Sequence, residues 1–110
     1  PAYTFGRVDR ELRGLGFILH CFADACILPI LSRIPVPHPD PHQFAQADAF
    51  YIRDIHRPMN WEQWKHLALI AHHVCGSFDL AMYCIAKLVD LGAVPADSET
   101  QYQRMLETLI

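Results

Sequence analysis

Two amphipathic patterns meet end to end at Gly76-Ser77, and that corner constrains the fold more than any other feature of the chain. Upstream, Trp61, Trp64, Leu67, Ala68, Ala71, Val74 and Cys75 recur at the three- and four-residue spacing of one helix face. Downstream, Leu80, Ala81, Cys84, Ile85, Leu88 and Leu91 do the same. Asn60 is placed to cap the first helix, and Gln63, three residues on, completes a capping box. Gly76 can take the left-handed conformation that ends a helix, and Ser77 can cap the next. A two-residue connection forces the two helices into a tight hairpin. Gly92 and Pro95 stop the second helix. A third begins near Ser98, with Gln101 as its box partner and Tyr102, Met105, Leu106 and Leu109 as its apolar stripe. Residues 60–110 therefore read as a helical hairpin plus a terminal helix.

The first half follows different rules. Thr4 is an N-cap for a short helix through Leu12, and Gly14 is positioned to end it in the left-handed conformation. Gly16 to Phe22 is apolar almost throughout, the pattern of a strand covered on both faces. Asp24 to Leu31 fits either a short helix or an irregular packed segment. From Arg33 to His42, Pro35, Pro37, Pro39 and Pro41 alternate with other residues. Each proline removes a donor and biases its predecessor toward extended backbone, so residues 33–42 read as a polyproline-like linker. Such a tract can also be an SH3-type ligand, but carrying the chain across a surface is the plainer role. Ala47 to Asp54 reads as a second strand, with Phe50, Tyr51 and Ile52 suited to a sheet. The fold class expected is α/β or α+β: a small strand pair packed with three or more helices, within residues 1–110 as a single domain or part of one.

Composition excludes several classes of function. A hydrophobic content of 52% supports a core and argues against disorder. Net charge is −3, and the basic residues are scattered, so no nucleic-acid partner is expected. The apolar stretch from Leu15 to Ile34 is broken by His20, Asp24 and Arg33, so no membrane-spanning segment is expected. The start at Pro1 reads as a cut or a domain boundary. Five glycines form no phosphate-cradling loop. Four cysteines show no disulfide framework, which suits free thiols in a reducing cytoplasm.

Few residues carry chemistry. Among seven histidines, the best metal-like grouping is His72, His73 and Cys75 with His20, Cys21 and Cys26. Adjacent residues on a helix point about 100° apart, so His72 and His73 are poorly set to share one ion. His38 and His42 are separated by two prolines, and no helix can present them together. No metal is therefore expected. The serines are Ser32, Ser77 and Ser98, two of them better explained as caps, and none lies in a nucleophile elbow. Asp48, Arg53 and Asp54 are the weak site candidates. Polar residues at a strand end often line a site in α/β enzymes, and they also form ordinary surface ion pairs. Trp61 and Trp64 read as core anchors, since no basic groove accompanies them.

Three stretches together resemble the C-terminal segment of FkbM-type S-adenosylmethionine-dependent methyltransferases. They are Val8 to His20 with its Leu15-Gly16-Phe17, Gln46 to Asp54, and Leu67 to Ala81 with its Gly76-Ser77-Phe78-Asp79-Leu80-Ala81 corner. They cover about two thirds of the chain. The resemblance implies the last strands and covering helices of a Rossmann-like methyltransferase. The family's Gly-rich loop and its acidic residue after the second strand have no counterpart here. The resemblance thus implies no cofactor bound by this chain and no activity of the chain alone. S-adenosylmethionine is implied only for a full-length parent. The two strands are expected to be adjacent and antiparallel, with open edges that pair with a missing N-terminal domain or with another copy of the chain. The alternative class is a non-enzymatic helical protein–protein interaction module built on the Pro-rich segment and the helical hairpin.

Overall fold

The computed structural model describes residues 4–28, 33, 34, 36 and 43–109. The fold class is α+β: the described residues form four helices and one two-stranded antiparallel sheet. They fall into two compact units, one ending at Arg53 and one beginning at Asp54. The proline tract lies almost wholly outside the described residues. No described helix is long and apolar enough to cross a membrane.

The first unit holds α1 (Phe5–Gly14), β1 (Phe17–Leu28) and β2 (Gln43–Arg53). Thr4 caps α1 as expected, its Oγ1 accepting from Arg7 N–H at 3.2 Å. The end of α1 differs from expectation. The helix runs through Gly14, Leu15 N–H still donates to the carbonyls of Glu11 and Leu12, and Gly16 is the residue with positive φ, +91°. The reversal is thus placed two residues later, directly at the start of β1.

Strand β1 is longer than its apolar run. It continues through Asp24, where the periodicity fails, because the ladder there is irregular. Ala23 pairs with Asp48 and Cys26 with Gln46, so β1 carries one extra residue. Asp24 takes φ +52°, a conformation that aspartate tolerates better than most side chains. A bulge of this kind bends the strand and re-aims its side chains, which hides the alternation in sequence. A second irregularity lies at His20, between the pairs Leu19–Tyr51 and Cys21–Phe50.

Helix α1 is tied to β2 by a polar contact. Tyr51 O–H donates to Asp9 Oδ1 at 2.8 Å, and Arg13 Nε–H donates to Asp9 Oδ2 at 2.9 Å. The Tyr51 bond first and the Arg13 bond second hold the Asp9 carboxyl below the usual carboxylate range. Desolvation first, then the Asp9 carboxylate, push the Tyr51 phenol up. With its folded pKa raised, Tyr51 contributes stability fully below its unfolded value of about 10 and loses it as pH rises through the folded value. Asp9 acts in the opposite sense: its contribution is present above about 3.9 and fades as pH falls through the lowered folded value. Melting temperature followed from about pH 8 to about pH 11 is expected to fall more steeply in the native chain than in Tyr51→Phe. Parallel curves would show that the phenol is not coupled to folding.

The second unit holds α2 (Trp61–Ile70), a π-helical turn (Ala71–Cys75), α3 (Phe78–Asp90) and α4 (Ser98–Thr108). The capping box at the start of α2 is complete. Gln63 N–H donates to Asn60 Oδ1 at 2.8 Å, and Asn60 N–H donates to Gln63 Oε1 at 3.0 Å. The core lies where α2 meets α3, with Trp64, Leu67, Ala71, Leu80, Ala81, Cys84 and Leu88 buried. Ile85 is only half-buried and Leu91 is exposed, so the buried stripe of α3 is narrower than its periodicity implies. The other two expected caps differ. Ser77 occupies the N-cap position of α3 without a side-chain cap bond. Ser98 is the first residue of α4, with Asp97 at the N-cap, and its Oγ–H donates back to Pro95 O at 2.7 Å. Gln101 Nε2–H donates to Asp97 Oδ2 at 2.7 Å instead of forming a box with Ser98.

The corner itself is as the sequence requires. Gly76 has φ +62°, and Ser77 N–H donates to Ala71 O at 2.8 Å. A Cβ at Gly76 would meet nothing within 4 Å, so a substitution there is strained by backbone conformation alone. Gly76→Val is expected to cost about 1–2 kcal/mol, read as a lowered urea midpoint. An unchanged midpoint would mean that the corner does not need the left-handed conformation.

Candidate functional site

The polar residues singled out at the end of β2 have separate surroundings. Asp48 is exposed in mid-strand opposite Ala23. Arg53, the last residue of β2, pairs across the ladder with Phe17 and holds its guanidinium 5.9 Å from the centre of that ring. Asp54 opens the next turn. Its Oδ1 accepts from His56 N–H at 2.9 Å, and its Oδ2 lies 3.6 Å from Arg57 Nε. Arg53 and Asp54 thus take different partners. Asp48 stands five residues back along the strand, roughly 16 Å away at the usual rise, and on the opposite face from Arg53.

Two concave regions stand out instead, one in each unit. In the first unit, Phe5 from α1, Phe22 from β1 and Phe44 from β2 line a groove of about 480 Å³. Ala47 and Ala49 form its small-residue floor, with Gln46 beside them. Phe5 and Phe22 lie 5.6 Å apart between ring centres, and Phe22 and Phe44 6.1 Å apart, both pairs tilted. Such tilted pairs suit the ring quadrupoles. All three rings nonetheless stay about half exposed, Phe22 at 47% and Phe44 at 52%.

In the second unit, α2, α3 and α4 converge on a cleft of about 320 Å³. Lys65, Leu69, His72 and His73 come from one side, Ala81 and Ile85 from the floor, and Tyr102 and Met105 from the other side. His72 Nδ1 and Tyr102 Oη are 2.8 Å apart. Burial pushes the Tyr102 phenol up, and the hydroxyl can either donate to Nδ1 or accept from it, according to the His72 tautomer. The ring of His73 meets that of His72 edge-on at 4.7 Å.

The π-helical turn positions this pair. One extra residue per turn rotates the helix face that follows it, and such turns are frequent at functional sites. Here Val74, expected on the buried stripe, is 63% exposed, whereas His72 is half-buried against Tyr102. The cleft was not legible in sequence: adjacent His72 and His73 should point about 100° apart on a helix, yet both line it with their rings edge-on. Nor was Tyr102 legible, because it lies thirty residues on, within an ordinary apolar stripe. Among the described residues, no three His, Cys, Asp or Glu side chains are grouped to hold a metal ion. Cys21, Cys75 and Cys84 are in no disulfide. Burial raises the Cys84 thiol to about 11, which makes it unreactive. Compared with protein-family models, with curated proteins and with solved structures, the chain matches none.

Proposed function

We propose that this chain is the sheet-completing C-terminal segment of a methyltransferase-like protein, without a methyl-donor site of its own. The observation that carries the reading is the half-exposed aromatic groove of Phe5, Phe22 and Phe44 on a sheet with two strands among the described residues. Strands of twelve and eleven residues make a long ribbon, and among the described residues no further strand pairs with either edge. A two-stranded ribbon is marginal in water, and exposed edges of this length invite further strands. The groove and the edges together fit a parent domain that supplies those strands, or a second copy that substitutes for it. S-adenosylmethionine belongs to that parent and not to this chain. Cysteines in no disulfide suit a cytoplasmic location.

Sedimentation velocity across a dilution series tests this. The isolated chain is expected to self-associate, and Phe22→Lys combined with Phe44→Lys to shift it to monomer. Calorimetry with S-adenosylmethionine is expected to show no heat. A native chain that stays monomeric at every concentration, or that binds the donor with micromolar affinity, overturns the reading. A helical interaction module is the second reading, favoured by exposed Ile70, Val74 and Phe78 on the hairpin. It predicts self-association unchanged by the two lysines and lost on Val74→Lys.

A further inference from the structure

We propose that the cleft between α2, α3 and α4 is a binding site for a small amphipathic anion, a monocarboxylate with an apolar chain or ring. Its walls carry two kinds of surface. Leu69, Ile85 and Met105 offer an apolar bed, with Ala81 as a small-residue floor that leaves room above it. Lys65, His72 and His73 bring side-chain nitrogens to the same opening, and no carboxylate lines it. Apolar lining with a few convergent polar groups is the usual make-up of a small-molecule site, and the volume lies near the lower end of the usual range of about 300–1,000 Å³.

The charge on the lining selects the sign of the ligand, since Lys65 is its one fixed cation and no carboxylate faces it. His72 Nδ1 is engaged with Tyr102 Oη at 2.8 Å, which leaves Nε2 as the ring nitrogen available to a ligand. Lys65 is a donor only, and it lies above the Trp61 ring at 5.3 Å, which holds the ammonium at the rim without neutralising it. A carboxylate can accept from Lys65 while its apolar body covers Leu69 and Met105, which are both exposed in the free chain. A partner helix suits the cleft less well, because helix-in-groove recognition relies on an apolar groove, and here nitrogen-bearing side chains interrupt it.

Nuclear magnetic resonance of the labelled chain, titrated with octanoate, tests the proposal. Saturable shifts are expected at residues 65–73, 81–85 and 102–105. Octanamide, of the same shape without the charge, is expected to bind about tenfold more weakly, as loss of a charge-assisted hydrogen bond implies. Lys65→Met is expected to lose octanoate affinity by about the same factor while leaving octanamide unchanged. Met105→Trp, entering from an exposed position, is expected to fill the cleft and abolish both, with the helical circular-dichroism signal retained. Absence of saturable shifts, equal affinity for the two probes, or shifts confined to the Phe22–Phe44 groove would each overturn the proposal. If Met105→Trp does not fold, the Lys65→Met comparison still decides.

Discussion

Trp64→Ala is expected to cost about 3–5 kcal/mol, the range for truncating a buried aromatic side chain, and to unfold the helical unit. Trp64 is only 4% exposed, and its ring lies 5.9 Å from that of Tyr83 in a tilted pair. It belongs to the same buried core as Leu67 and the small residues Ala71 and Ala81, which are almost fully enclosed. Removing the indole leaves a cavity between two helices that small residues cannot close. A domain holds roughly 0.05–0.15 kcal/mol per residue, so a unit of this size has little to spare. Trp61 is the control. It is 48% exposed and lies under Lys65, so Trp61→Ala is expected to cost about 1 kcal/mol or less. Urea unfolding followed by circular dichroism compares the two. Equal losses would place the core elsewhere than between α2 and α3.

The two tryptophans, one turn apart, show what the sequence could and could not convey. Periodicity placed both on the buried stripe, and only Trp64 is there. The caps were legible where one side chain satisfies a local rule, as Asn60 and Gln63 do, because both partners lie within a single turn. They were not legible at Ser77 and Ser98, where the helix starts are held by backbone bonds such as Ala81 N–H to Ser77 O at 3.0 Å. The two strands followed from the apolar runs, and their antiparallel pairing from the resemblance alone. Their full length did not, since the bulge at Asp24 breaks the alternation that identifies a strand. The cleft depended on the π-helical turn, which changes the period for five residues and turns Val74 outward. No residue type marks such a turn. The strand-end aspartates and arginine drew attention by position, and the structure separates them: Asp54 bonds within its own turn, whereas Arg53 reaches the Phe17 ring across the ladder.

Cys84→Asp is expected to destabilise the helical unit by several kcal/mol at neutral pH, and in a way that depends on pH. Cys84 is fully enclosed, and the same burial that raises its thiol to about 11 will act on any acid put in its place. An aspartate there stays protonated when folded, so its folded pKa is raised above the unfolded value of about 3.9. Below that value both states carry the proton, and the variant suffers only the cost of a neutral polar group in an apolar site. As pH rises past it, the unfolded chain releases its proton and the folded chain does not. Stability then falls by about 1.4 kcal/mol per pH unit until the folded pKa is reached, a loss of about 4 kcal/mol near pH 7. Cys84→Ser supplies the reference, since it introduces a polar group of similar size that does not titrate. The difference between the two variants, measured by urea unfolding from about pH 4 to about pH 7, isolates the charge. A difference that stays constant across that range would mean that the carboxylate reaches water, and that the junction of α2 and α3 opens around position 84.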